Sequence, residues 1–100
     1  MKFLVLQWIK PQTPIERLAS LTPAQFKYLN KLESQGRIEQ YYHMIGQQGH
    51  MLICNVTSDE ELSRIVGEDP LFFESERKIY PLTTREAHEK RMLEMLGRRK

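Results

Sequence analysis

Apolar positions near the start of the chain run almost unbroken from Phe3 to Ile9, a strand-like stretch that Lys10-Pro11 closes because proline offers no N–H to a ladder. Ile15 to Leu21 is ambiguous. Ile15, Leu18 and Leu21 fall on one side of a helical turn, yet a stronger helix start follows at once. Thr22-Pro23-Ala24-Gln25 offers a Thr cap, a Pro for the first helical position and a Gln able to return a bond to the cap. Phe26, Leu29 and Leu32, with Tyr28 flanking, then form an apolar stripe that Gly36 stops in a left-handed turn. Arg37 to Ile45 and His50 to Val56 read as two antiparallel strands about the turn Gly46-Gln47-Gln48-Gly49.

Ser58-Asp59-Glu60-Glu61 is a second capping box, with acids where the helix dipole favours them. Leu62, Ile65 and Val66 are the stripe of that helix, Gly67 ends it, and Glu68-Asp69-Pro70 forbids its continuation. Leu71-Phe72-Phe73 is expected to tuck under this helix. Arg77 to Leu82 is a last strand, placed at a sheet edge by Pro81. The order is therefore βαββαβ, an α+β ferredoxin-like plan with an antiparallel sheet over residues 1–82. Residues 83–100 add a third helix, started by Thr83-Thr84, with an imperfect apolar face and the basic tail Arg98-Arg99-Lys100. Such a sheet has helices on one face only. In a chain this short the other face is expected to be closed by a second copy, giving a dimeric α+β barrel to which the last helix adds contact.

Pairing Gly46 with Gly49 would set Tyr41 opposite Cys54 and His43 opposite Leu52. One face then holds Arg37, Glu39, Tyr41, His43, His50, Leu52 and Cys54, and the other holds Ile38, Gln40, Tyr42 and Met44, with Tyr42 in the core. His50, beside the turn, is expected to be exposed.

Charge narrows the partners. Fifteen basic and thirteen acidic side chains give a net +2 that comes largely from the tail, and acids and bases are interspersed elsewhere, so no basic stripe for nucleic acid is present. No apolar stretch approaches the ~20 residues of a membrane span. The N-terminal run is broken by Gln7 and lacks a small-residue cleavage site, so it reads as a strand and no signal sequence. A single cysteine, Cys54, excludes an internal disulfide and points to a reducing, cytoplasmic setting. No HxH, HExxH or CxxC spacing, phosphate loop or dinucleotide fingerprint occurs; neither a metal nor a cofactor is expected.

The chain resembles the muconolactone isomerase family of dimeric α+β barrel proteins. The resemblance rests on Ser34-Gln35-Gly36, Met44-Ile45-Gly46, Val56-Thr57-Ser58-Asp59-Glu60-Glu61-Leu62, Asp69-Pro70-Leu71-Phe72 and Tyr80-Pro81-Leu82, spaced without gaps from Gly36 to Leu82. It implies a homodimer or higher homo-oligomer and a small-molecule substrate. It also implies an isomerase that moves a proton along a small oxygenated, lactone-like or unsaturated metabolite. Where the resemblance implies basic side chains and tryptophans on the second strand, this chain has Glu39, Tyr41, Tyr42 and His43.

Proton transfer needs an acid and a base of matched pKa in a dry pocket. His43 is the candidate base or acid, Tyr41 a donor to a developing enolate oxygen, and Glu39 an orienting carboxylate. Arg37 is a candidate carboxylate anchor, with Cys54 and Leu52 beside it on the substrate wall. The plain alternatives are that the tyrosines and histidine are a dimer interface and Cys54 a small buried hydrophobe. A non-catalytic dimeric ligand-binding or assembly module would show an interior packed solid beside His43. A cofactor-free oxygenase on the same barrel is the third reading.

Overall fold

The computed structural model describes residues 1–98, so Arg99 and Lys100 of the basic tail lie outside the described residues. The elements are β1 (Lys2–Ile9), α1 (Ile15–Ser34), β2 (Ile38–His43), β3 (Gly49–Asn55), α2 (Asp59–Gly67), β4 (Ser75–Leu82) and α3 (Arg85–Gly97). The sheet is antiparallel in the order β2-β3-β1-β4, the ferredoxin-like arrangement, with β4 and its Pro81 at an edge.

Alternation along β1 sets the two faces. Val5 and Gln7 are buried beneath the helices, while Leu4, Leu6 and Trp8 point to the open side. The core joins Val5, Leu52, Cys54 and Val56 of the sheet side to Leu29 and Leu32 of α1 and Leu62 and Ile65 of α2. Tyr28 links the helices by donating its hydroxyl proton to the Ile65 carbonyl at 2.7 Å.

Helix α1 corrects one expectation. It starts after Pro14, and Thr22-Pro23 lies in its interior, where Thr22 caps nothing. The apolar spacing Ile15, Leu18, Phe26, Leu29, Leu32 continues through the proline, and that continuous stripe outweighs the local start signal. The stop is as expected. Gly36 has φ 76°, and the N–H groups of Gly36 and Arg37 donate to the Glu33 and Leu32 carbonyls. In α2, Ser58 accepts from the Glu61 N–H at 3.1 Å, and the Glu61 carboxylate accepts from Thr57 N–H, one residue before the cap.

The hairpin register is also corrected. His43 pairs with His50 and Tyr41 with Leu52, a slip of two residues from the expected pairing, and Ile38 pairs with Cys54, a slip of three. Gly49 is a strand residue because it lies flush on β1 opposite Trp8; a Cβ there would stand 2.6 Å from the Gln7 carbonyl oxygen. A slip of two preserves the face of Tyr41 and His43. An irregularity between Ile38 and Gln40 does not preserve that of Ile38, which turns inward and is fully buried.

Leu71 is buried as expected and Phe72 is half-buried against Leu62, Val66 and Ile79, but Phe73 is exposed. Helix α3, capped by Thr84, buries no side chain, and Met92, Leu93, Met95 and Leu96 are open in a molecule 61 Å long. No helix among the described residues is long and apolar enough to cross a membrane.

Leu29→Ala should cost about 2–5 kcal/mol by leaving a cavity between helix and sheet. Gly49→Ala should cost about 1–3 kcal/mol, because backbone must yield to the added methyl. Urea unfolding followed by circular dichroism measures both.

Candidate functional site

The helix-side face of the sheet has two ends of different character. Around Cys54 and Ile38 it is apolar and filled. Toward Ile9, His50 and Ser75 it opens into a cleft of about 430 Å³ under the first half of α1. Leu18, Pro23 and Phe26 from the helix and Ile9 and Leu71 from below give it apolar walls; Gln7, Gln25, His43, His50 and Ser75 are among its polar lining.

The pairing of β2 with β3 puts the two histidines opposite each other, with ring centroids 6.2 Å apart and planes at 88°. Tyr41 packs on both, at 5.2 Å from His43 and 5.7 Å from His50, and Phe26 meets His43 edge-on at 5.7 Å. Tyr41, His43, Phe26 and Asn30 also line a smaller adjoining cleft of about 260 Å³. His43 therefore stands between the two hollows.

His50 was expected at the surface and is only 4% exposed. Its place opposite Gln7, one strand in from the edge, buries it. Burial pushes its pKa below 6.5; Asp69 opposes that shift and His43 adds to it, so the imidazole is neutral at pH 7. Burial likewise raises the Tyr41 phenol, helped by Asp69 and Glu33, and keeps it protonated. His50 and Ser75 both border the cleft, and the Nε2 atom of one and the Oγ of the other are fully buried without a hydrogen-bond partner.

Below the cleft lies a polar network that the sequence patterns did not single out. Asp69 accepts from Gln7 Nε2 at 3.1 Å, from Gln25 Nε2 at 3.1 Å and from the Leu71 N–H at 2.8 Å. Gln7 in turn accepts from Arg77 Nε at 3.2 Å; that guanidinium also donates to the Phe72 carbonyl and lies 4.4 Å from the Phe72 ring centre. At the rim, exposed Arg17 pairs with the buried Glu74 carboxylate. The hint available was a polar residue at an inward-facing position, Gln7 on β1 and Gln25 on the α1 stripe.

The remaining expected site residues lie elsewhere. Glu39, at the β2 irregularity, is paired with Lys2 at 3.1 Å, and Arg37 faces Glu61 at 3.9 Å beside α2. Leu52 and Cys54 are core, and burial raises the Cys54 thiol to about 11, far from a thiolate. Tyr42, expected in the core, is 60% exposed on the open face beside Met51. The structure thus brings Tyr41 and His43 together and adds His50, but does not bring Glu39, Arg37, Leu52 or Cys54 to the cleft. No group of three metal-ligating side chains is assembled among the described residues.

The family model for muconolactone delta-isomerase matches residues 1–89. The chain belongs to that family. No curated protein matches it. Two solved structures share the family fold. Muconolactone isomerase superposes with a TM-score of 0.74 at 18% identity, covering 85% of this chain and 91% of that one. The 5-chloro-2-hydroxyhydroquinone dehydrochlorinase of Burkholderia phenoliruptrix AC1100, in complex with 2,5-dihydroxybenzoquinone, superposes with a TM-score of 0.71 at 18% identity. That match covers 87% of this chain and 98% of the dehydrochlorinase. Family membership supports a small-molecule enzyme on this fold.

The neutral state of His50 has a consequence for stability. Unfolded, the residue takes a proton near pH 6.5; folded, it does so only at lower pH, so the unfolded chain binds more protons between the two values. Stability from this group is full above pH 6.5 and is lost as pH falls toward the lowered native pKa. Urea midpoints compared at about pH 7.5 and about pH 5 should fall less in His50→Phe than in the unaltered protein.

Proposed function

We propose that the cleft is the active site of an isomerase-type enzyme that shifts a proton along a small oxygenated, unsaturated or lactone-like metabolite. The observation that carries this reading is the facing pair His43 and His50 on one cleft, with His50 held neutral by burial. A neutral imidazole accepts a proton from a carbon beside a carbonyl, and a second imidazole delivers one further along the conjugated system. Between those events negative charge gathers on the carbonyl oxygen. Tyr41, protonated and packed against both rings, offers a hydroxyl to an oxygen reaching the adjoining cleft. Apolar walls keep water from competing for the proton. The open hollow beside His43 supports this reading over a non-catalytic module with a solid interior.

The test uses α-angelica lactone, whose conversion to the conjugated isomer removes a proton from the carbon next to the carbonyl and returns one at the ring carbon bearing the methyl group. Turnover should be visible in the ultraviolet and should incorporate solvent deuterium. His43→Ala and His50→Phe should each lower kcat by about 10²–10⁴-fold. Turnover unaffected by either change removes the proposal, and oxygen uptake with hydroquinone in its place favours the oxygenase.

A homo-oligomer belongs to the same proposal. Leu4, Leu6, Trp8, Met51 and Ile53 form an apolar sheet face that no helix of the described chain covers, and α3 presents four open apolar side chains. Sedimentation should give a dimer or larger assembly, and Leu6→Asp should dissociate it.

A further inference from the structure

The side-chain amide of Gln25 has its direction fixed by its partners. Arginine donates and cannot accept, so the Gln7 atom that meets Arg77 Nε at 3.2 Å is the carbonyl oxygen, and Gln7 Nε2 faces Asp69. Asp69, itself buried, takes that Nε2, the Leu71 N–H and two contacts of 3.1 Å from Gln25 Nε2. A carboxylate accepts only, so it draws the amino end of Gln25 toward itself and turns Oε1 away. The flipped amide would set oxygen against oxygen beside a buried charge.

That leaves Gln25 Oε1 as the open end of the network. It accepts from no donor among the described residues, although Gln25 is only 5% exposed. Unlike His50 Nε2 and Ser75 Oγ, it is not sealed away without a partner, so it keeps accessible surface, and the hollow that Gln25 lines is the cleft. Phe26, the next residue of α1, and Pro23 and Leu18 put apolar wall around it. An acceptor of fixed direction in such a place is met by a ligand that donates, and a ligand without a donor would cover it and leave it unbonded. Resting on the reading of the cleft as the substrate site, we propose that Gln25 is a binding residue whose Oε1 accepts a hydrogen bond from a hydroxyl group of the substrate. The cleft thereby selects small hydroxyl-bearing compounds over isosteres that lack the donor. Asp69 is the positioning residue, since it holds the amide in the accepting direction.

The probes are 4-methylphenol and 4-fluorotoluene, which share ring and shape and differ in the hydroxyl donor. Calorimetric titration at neutral pH should give 4-methylphenol binding about tenfold tighter. Gln25→Met should abolish that preference by weakening 4-methylphenol and leaving 4-fluorotoluene within about twofold. The variant also deprives Asp69 of a donor and should lower Tm, but a merely structural role would weaken both probes alike and leave their ratio intact. Asp69→Asn, which frees the Gln25 amide to turn over, should reduce the preference as well. Equal or tighter binding of 4-fluorotoluene by the unaltered protein overturns the selection, and a preference that survives Gln25→Met overturns the role of Gln25. Tighter binding of 4-methylaniline than of 4-methylphenol overturns the assignment of the donor as a hydroxyl. If no probe binds, the inference falls, while turnover of the lactone would still uphold the catalytic reading by itself.

Discussion

The buried carboxylate of Asp69 is the interaction on which the cleft end of this molecule depends. It is buried, and its compensation is drawn from three separate parts of the chain: Gln7 on β1, Gln25 on α1 and the backbone of its own corner at Leu71. A charge in that position is tolerable only while those donors hold their places, so it pins helix, strand and corner to one another. Gln7 passes the constraint to Arg77 on β4 by accepting from its guanidinium. Gln7 and Gln25, the two side chains that hold Asp69, both line the cleft, so the network and the cleft share their walls. Removing either glutamine would leave a buried carboxylate short of donors, which is worse than removing a neutral hydrogen bond.

The two ends of the sheet thereby divide the work. At one end Ile38, Cys54 and Val56 close against α1 and α2 in an apolar core, and the burial that raises the Cys54 thiol to about 11 makes it chemically quiet. At the other, α1 lies over polar side chains and leaves room between itself and the sheet. The same desolvation acts on both ends with different results. On a thiol it prevents ionisation and reactivity; on His50 it preserves the free base, the form that can take a proton.

The order of elements was legible because each signal was local: an almost unbroken apolar run and Pro11 for β1, Gly36 for the end of α1, Ser58 for the start of α2. The start of α1 was not. Thr22-Pro23-Ala24-Gln25 imitates a helix beginning, and only the long stripe from Ile15 to Leu32, read against the whole helix, outvotes it. The site was half legible by similar logic. Strand alternation placed Tyr41 and His43 on one face, and the two-residue slip in register left that intact. Glu39 and Ile38 were misplaced because an irregularity in one strand leaves no mark in its hydrophobic pattern. Which face carried the helices was beyond alternation, so Tyr42 was assigned to the core while the structure exposes it. Asp69 was visible as part of a helix stop and of the family resemblance, but its network was not, since its partners Gln7 and Gln25 lie far away in sequence.

The charges around the cleft also explain why a neutral base is useful there. Asp69 is held by hydrogen bonds, Glu74 by Arg17 and Arg77 by acceptors on the corner and β1, and of these charges Asp69 still acts on His50, opposing the effect of burial. In low dielectric an uncompensated cation near His50 would depress its basicity further, and an uncompensated anion would hold it protonated. Either would remove the proton acceptor of the proposed reaction. The fold thus gives its charges partners in the layer beneath and keeps neutral groups beside the clefts, and the unmade bonds of His50 Nε2 and Ser75 Oγ cost stability. Such costs concentrate where a fold is not packed for stability alone, and among the described residues both buried side-chain atoms without partners belong to residues that border a single cleft.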